Sequence, residues 1–256
     1  MNNQLFNSDN HSLELSDDGS YTAYSKEYKE HYHSTKDGAF RESLSKHIEP
    51  AMSIFQDKKE LFILDICYGL GFNTLATLYY IQQKKLDIKV SIYSPELDKD
   101  LVKSLENFIY PKEFQPFLHI VKQLSQKGFY EDENIFIEVF LGDAREYVKG
   151  FRNKFDIVYQ DAFSPNVNPL LWTEEYFKDI SNAIKENGIV TTYSTALRTR
   201  LALYNNSFFI YLNEGENFRD ATIASKKELQ HYKKVDMLHK IACNPTVQPL
   251  KDIELT

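Results

Sequence analysis

The chain has 256 residues, 42% hydrophobic and 26% charged, the proportions of a soluble globular protein with a full core. Its formal net charge of −7 argues against a surface that coats nucleic acid broadly. Two cysteines, Cys67 and Cys243, exclude a disulfide framework and stand in no metal-ligand spacing, and no run approaches the roughly 20 apolar residues that span a bilayer.

The polar, acidic start, Met1 to Ser20, lacks the basic region and apolar core of a signal peptide, so a cytoplasmic location is expected. Residues 1–10 are expected to be loosely ordered. Leu13-Glu14-Leu15, Asp17-Asp18-Gly19-Ser20 and Tyr21-Thr22-Ala23-Tyr24 predict a hairpin around an Asp-Gly turn. Phe40 to Met52 reads as a helix ahead of the main sheet. His31-x-His33 has no acidic or cysteine partner at a useful local spacing, so no metal is expected there.

The most informative stretch is Leu61 to Asn73. An apolar run rich in β-formers reaches Asp65, then a turn with Gly69 and Gly71. Apolar residues at 72, 75, 78 and 79 follow at helical spacing. This is the first strand, loop and helix of an open α/β sheet, in which ligands lie beyond the carboxyl ends of the strands. A dinucleotide motif wants a third glycine where Thr74 stands, and Asp65 is a poor neighbour for a pyrophosphate. An acid suits a cationic ligand such as S-adenosylmethionine, whose amino group and sulfonium are positive and whose carboxylate can meet amides at a helix start. A tight turn with no ligand fits the same residues.

Ile88 to Tyr93 predicts a second strand stopping before Pro95, with Glu96 placed to accept hydrogen bonds from ribose hydroxyls. Asp98 competes for that role or caps the helix Lys99 to Phe108. Residues 111–134, with two prolines, look like an insertion. Ile135 to Phe140 is a third strand. Asp143, ahead of Ala144, meets an adenine amino group or caps the next helix. Phe155 to Gln160 is a fourth strand running into Asp161-Ala162-Phe163-Ser164-Pro165, Asn168-Pro169 and Trp172. An acid there faces the cofactor's reactive end, and Phe163 with two prolines makes a stiff wall for a flat substrate; a proline-rich turn before the helix Glu174 to Lys185 fits equally. Glu186-Asn187-Gly188 reads as that helix's close, Ile189 to Tyr193 as a fifth strand, Ala196 to Tyr204 as the last major helix, and Ser207–Leu212 with Ala221–Ala224 as an antiparallel pair. The tail is expected to start helical and end extended. Lys84-Lys85, Lys226-Lys227, Lys233-Lys234, Arg198 and Arg200 are basic clusters that ordinary solvated faces explain.

With these residues in place the chain resembles the methyltransferase domain of the MnmC family, which completes a modified wobble uridine in certain transfer RNAs. The resemblance covers about residues 13–225. The first motif stands as Asp65-Ile66-Cys67-Tyr68-Gly69-Leu70-Gly71-Phe72-Asn73, with Cys67 where a glycine is usual. The signature after the fourth strand runs from Asp161 through Phe163, Pro165, Asn168 and Pro169 to Trp172. Tyr28 to Ser34 is similar to the family's opening, with His33 in place of phenylalanine, and Gly38 and Glu42 fit the following segment.

The resemblance implies a class I S-adenosylmethionine-dependent, Rossmann-like α/β three-layer sandwich: a seven-stranded sheet with its last strand antiparallel. An N-terminal hairpin and helical extension at 1–55, the methyltransferase domain at 56–225 and a packed tail at 226–256 are the expected divisions. Gly69, Gly71 and Asn73 would line the methionine moiety, with Tyr68 beside them, Asp65 at the positive end, Glu96 at the ribose, and Asp143 and Ala144 at the adenine. Asp161 would orient the acceptor amine and take its proton, while Phe163 and Pro165 would hold the base. The implied reaction is N-methylation of 5-aminomethyl-(2-thio)uridine in a tRNA anticodon loop. The FAD-dependent oxidase domain of bifunctional members is absent from these residues, so a separate oxidase or other upstream enzyme is expected to supply the amine. Neither metal nor membrane is expected. Two other readings stay open: a polyamine aminopropyltransferase, and a non-catalytic S-adenosylmethionine-binding adaptor.

Overall fold

A computed structural model describes residues 6, 9–216 and 218–255; most of the segment 1–10, expected to be loose, lies outside them. Strand β1 (His11–Leu15) pairs antiparallel with β2 (Tyr21–Ser25), Leu15 opposite Tyr21, as the alternation of side chains predicts. The connection is wider than a two-residue Asp-Gly turn, because the Asp18 carboxylate accepts from Ser20 N–H and Oγ–H and from Arg41 N–H. The hairpin is thereby tied to the next helix. A short β3 (Glu30–His31) adds to β2. The expected helix 40–52 is a rod of three parts: α1 (Ala39–Glu42), a π-helical stretch Ser43–Ile48, and α2 (Glu49–Phe55). The wide π turn, a form that recurs at functional sites, buries both Lys46 and His47.

The main sheet begins with β4 (Glu60–Ile66), followed by α3 (Phe72–Lys84), β5 (Lys89–Glu96) and α4 (Lys99–Ser104). The second strand continues through Pro95 instead of stopping before it. Its pairing with β4 ends at Leu64 opposite Tyr93, so the missing Pro95 N–H leaves no ladder bond unmade, while Pro95 O still accepts from Tyr68 N–H. The supposed insertion contains regular structure: a 3-10 stretch Lys112–Phe117, α5 (Leu118–Lys127) and an edge strand β6 (Phe129–Glu131). Pro116 lies in the tight turn leading into α5, where its ring does not break a longer helix.

Next come β7 (Ile135–Leu141), α6 (Ala144–Lys149), β8 (Phe155–Gln160), α7 (Glu174–Ala183), β9 (Ile184–Thr192) and α8 (Leu197–Asn205). Glu186-Asn187-Gly188 does not close α7. That helix ends at Ala183, and the three residues sit in β9 where its register with β8 shifts between Phe155 and Ile157. The chain finishes with β10 (Phe209–Asn213), β11 (Ala221–Ser225), β12 (Lys233–Lys234) and α9 (Met237–Cys243). The tail therefore begins with bends and an edge strand rather than a helix, then straps back so that Leu250 bridges Thr173.

Sheet order is β12-β10-β11-β9-β8-β4-β5-β7-β6, with β11 antiparallel to both neighbours. The seven expected strands are its interior. Nine strands form among the described residues because β6 and β12 extend the two edges. All six residues of β8 are buried, Asp156 and Gln160 included, as a strand at the centre of the sheet requires. Each fully buried Ile, Val or Phe there contributes about 1.5–3 kcal/mol. The reversal of strand order between β4 and β8 opens a crevice at their carboxyl ends. No described helix is long and apolar enough to cross a membrane.

Candidate active site

The crevice is a cavity of about 1080 Å³, the size range of small-molecule sites. Its floor is the loop leaving β4. Cys67, Gly69 and Gly71 take φ of +66°, +54° and +76°. Gly71 is the N-cap of α3, and a Cβ there would lie 2.8 Å from the buried Tyr68 hydroxyl, so bare backbone is required by both angle and space. Gly69 N–H donates to Glu96 Oε2 at 2.8 Å, tying the loop to the end of β5.

At the centre stand two carboxylates joined by one amide. Asn73 Nδ2 donates to Asp161 Oδ2 at 2.8 Å and to Asp65 Oδ1 at 3.3 Å. Thr74 Oγ–H donates to the other Asp65 oxygen at 2.9 Å. Burial, with some repulsion from Asp161, pushes Asp65 up to about 7 against the pull of these hydrogen bonds. Asp161 behaves oppositely. Burial pushes it up, but the neighbouring His47, with His33 and the Asn73 amide, outweighs burial and holds it below the ordinary carboxylate range. His47 Nε2 lies 3.3 Å from Asp161 Oδ1, and its Nδ1 lies 2.9 Å from Thr191 Oγ. Burial lowers the His33 imidazole, which packs on Phe72, so its neutral form is favoured.

One wall comes from the N-terminal segment. Phe163 stacks on Tyr28 at 4.7 Å between centroids and leans against Tyr32. Ser164 donates from N and Oγ to the Glu30 carboxylate, and Trp172 Nε1–H donates to Phe163 O. The loop after β8 is thus docked onto residues some 130 positions away in the chain. Beyond it lies a buried cluster in which Lys46 Nζ meets Asp37 at 2.8 Å and Glu42 at 2.7 Å. Burial disfavours that ammonium, but Glu42 and Asp37 outweigh it and hold the lysine protonated.

The cavity wall includes Tyr68, Gly69, Asn73, Glu96, Asp143, Ala144, Asp161 and Phe163, and it does not include Asp65, Gly71 or Pro165. Asp65 was expected to face the ligand; it is 1% exposed and sits one layer behind Asn73. Gly71 acts through the turn it permits, and Pro165 does not line the cavity. Asp98 and Asp143 both cap helices, accepting from Leu101 and Glu146 N–H respectively, and both line the cavity as well. The Glu96 carboxyl is raised by burial, although Asp98 and Gly69 N–H donate to it. His47, Tyr32, Lys46 and Tyr193 are site residues that sequence reasoning missed. The acid-to-lysine spacing of Glu42 and Lys46 was a legible signal; the π turn that aims His47 was not.

A family profile described as S-adenosyl-L-methionine-dependent methyltransferase matches residues 110–227. An uncharacterized protein of Methanocaldococcus jannaschii is 31% identical over 78% of this chain and 55% of its own length. The MnmC protein of Campylobacter concisus, described as bifunctional in tRNA 5-methylaminomethyl-2-thiouridine biosynthesis, is 28% identical over 63% of this chain and 27% of its own. The chain thus spans about half or less of these relatives. The crystal structure of MnmC2 from Aquifex aeolicus superposes with a TM-score of 0.83 at 31% identity, covering 96% of this chain and 80% of that one. The chain belongs to the MnmC-type methyltransferase family. It is an S-adenosyl-L-methionine-dependent enzyme.

The residues of this MnmC-type site fit such a cofactor. Asn73 Oδ1 is a buried acceptor without a partner among the described residues, as a ligand ammonium group requires. Carboxylates outnumber lysines and arginines on the wall, which suits a cationic ligand, and of its four cations Lys46 and Arg145 are paired with Asp37, Glu42 and Asp252. Among the described residues no cluster of side chains is suited to hold a metal ion.

Proposed function

We propose that the protein N-methylates the aminomethyl group of 5-aminomethyl-(2-thio)uridine at the wobble position of tRNA. The observation that carries this reading is the pairing of a fixed, ionised Asp161 with an aromatic wall of Phe163, Tyr28 and Tyr32 at one cavity. An anionic group beside an aromatic wall is what a flat base bearing an alkylamine needs. The name of the Campylobacter relative supports the same substrate class.

S-adenosyl-L-methionine, when bound, supplies an electrophilic methyl group on a cationic sulfur. The protein's part is to hold both reactants and manage one proton. In this reading Tyr68, Gly69, Gly71 and Asn73 shape the methionine end, with Asp65 acting through Asn73. Glu96 holds the ribose, and Asp143 with Ala144 lies at the adenine. Asp161 orients the acceptor amine. An alkylamine is mostly protonated at neutral pH and has no free lone pair, so a nearby carboxylate first binds the ammonium and then helps remove its proton.

The substrate is a cytoplasmic tRNA whose amine is installed by another activity, an FAD-dependent oxidase or a different upstream enzyme. Nucleoside mass spectrometry of tRNA from a deletion strain tests this: the unmethylated aminomethyl base, or its carboxymethyl precursor, should accumulate. An unchanged nucleoside profile, or transfer to putrescine from decarboxylated S-adenosylmethionine by the purified protein, would overturn it.

A further inference from the structure

We propose that the proton lost by the acceptor ammonium is held by Asp161 and His47 together, with His47 acting through Asp161 as a positioning and proton-sharing residue. This rests on the amine-methylating reading above.

The geometry is specific. His47 is fully buried, does not line the cavity, and its Nε2 has no hydrogen-bond partner among the described residues. That nitrogen lies 3.3 Å from Asp161 Oδ1, the carboxylate oxygen that Asn73 does not use. The ring is fixed at its other nitrogen by Thr191 Oγ and edge-on by the Tyr159 ring. A buried imidazole tethered at Nδ1 and facing a cavity carboxylate through Nε2 is placed by its polar contacts and not by its shape: a leucine would fill that volume without burying two ring nitrogens.

The chemistry explains it. An alkylammonium with a pKa of about 10.4 passing its proton to an ordinary carboxylate of about 3.9 faces an unfavourable equilibrium of roughly 10⁶. An ordinary imidazole of about 6.5 reduces that to roughly 10⁴. A carboxylate and an imidazole in contact titrate as a pair. In the step, the ammonium N–H bond breaks and its electron pair stays on nitrogen. The proton comes to rest between Asp161 Oδ1 and His47 Nε2. The freed pair forms the nitrogen–methyl bond while the sulfur–carbon pair remains on sulfur, so positive charge passes from sulfur to nitrogen. The shared proton leaves when the product does.

The charged and titratable groups around His47 fit this load. Asp161 follows β8, Asp65 ends β4, His33 precedes α1, Tyr159 lies on β8, and Lys46 with its partner Glu42 shares the helical rod. The two aspartates favour a proton on the pair. His33, held neutral, adds no competing charge, and Lys46 is offset by Glu42 and Asp37.

The test is the pH profile of kcat for His47→Gln on aminomethyl-uridine tRNA at saturating S-adenosylmethionine. At pH 7 the variant should be slower by about 100-fold, and the gap should narrow as the pH approaches about 10.4, where the substrate amine deprotonates unaided. A purely structural role would lower the rate by one factor at every pH, and that result overturns the proposal, as does a wild-type rate. Thr191→Val, which removes only the Nδ1 tether, should show the same pH-dependent loss to a smaller degree and decides the matter if His47→Gln fails to fold. Independently of turnover, the His47 ring nitrogen resonances of the cofactor-free protein should move on Asp161→Asn; unmoved resonances overturn the pairing. A wild type inactive on this tRNA overturns the functional reading and the proton pair with it, whereas an active wild type with a pH-independent His47→Gln defect overturns the pair alone.

Discussion

Asn73 joins the end of the first parallel strand to the end of the fourth: its amide nitrogen lies 2.8 Å from Asp161 Oδ2 and 3.3 Å from Asp65 Oδ1. Its buried oxygen has no hydrogen-bond partner among the described residues. One side chain therefore separates two carboxylates and offers an acceptor to the cavity. Asn73→Ala removes both functions. Hydrogen bonds to charged groups are worth about 1.5–3 kcal/mol, so S-adenosylmethionine affinity should fall by roughly 10–100-fold in calorimetry, with turnover falling at least as far. Affinity within twofold of wild type would show that Asn73 serves packing alone.

Asp161→Ala separates binding from chemistry. The cavity floor made by the β4 loop does not depend on Asp161, and Asn73 retains Asp65 as a partner. Cofactor affinity should stay within about threefold, while methyl transfer should drop by about 10²–10⁴-fold, the range for losing a positioned base. Near-normal turnover would remove Asp161 from the reaction.

Asp65 makes a prediction about stability. Its folded pKa is about 7 because burial disfavours the carboxylate, whereas the unfolded chain titrates near 3.8. Above pH 7 the folded protein carries a buried charge that the unfolded chain does not have to bury. As pH falls through 7 the folded state takes up a proton the unfolded state does not, and stability rises. His33 runs the other way: its pKa is depressed from 6.5, so its contribution is present above pH 6.5 and fades below it. The net expectation is a gain of about 1 kcal/mol between pH 8 and 6.5. Thermal melts of Asp65→Asn should lack that gain, because the amide does not titrate. A variant with the wild-type pH dependence would assign the gain elsewhere.

The strand–glycine–helix unit, the five parallel strands and the helix between β8 and β9 were legible because each carries its own periodicity or turn chemistry. Capping by Asp98 and Asp143 was legible as one of two alternatives, and both residues proved to do double duty by also lining the cavity. What the sequence hid was non-local. His47 reaches Asp161 only because six residues wind as a π helix, and no 3.6-residue pattern announces that. The prolines at 111 and 116 masked α5 and its edge strand. Asp65 reads as a ligand-facing acid from position alone; that Thr74 and Asn73 cover it depends on how α3 sits over β4.

Gly71 tests the backbone argument. With φ +76° and only 2.8 Å to the buried Tyr68 hydroxyl, an added Cβ meets strain and a wall together. Gly71→Ala should destabilise the fold by about 1–3 kcal/mol, and Gly71→Val should abolish cofactor binding. A Gly71→Ala protein with unchanged melting temperature and affinity would mean that the turn relaxes freely.

Glu30 holds the loop after β8 against the N-terminal segment by accepting from Ser164 N and Oγ, while Tyr28 stacks on Phe163 one residue away. None of these contacts involves the β4 loop or the ends of β5 and β7, where the cofactor is proposed to sit. Glu30→Ala should therefore raise KM for the nucleic-acid acceptor by about 5–10-fold and leave S-adenosylmethionine affinity unchanged. Glu30→Gln keeps one acceptor oxygen and should recover part of the loss, which a general folding defect would not allow. If both variants instead weaken cofactor and acceptor binding equally, the N-terminal segment braces the whole cavity rather than its acceptor side.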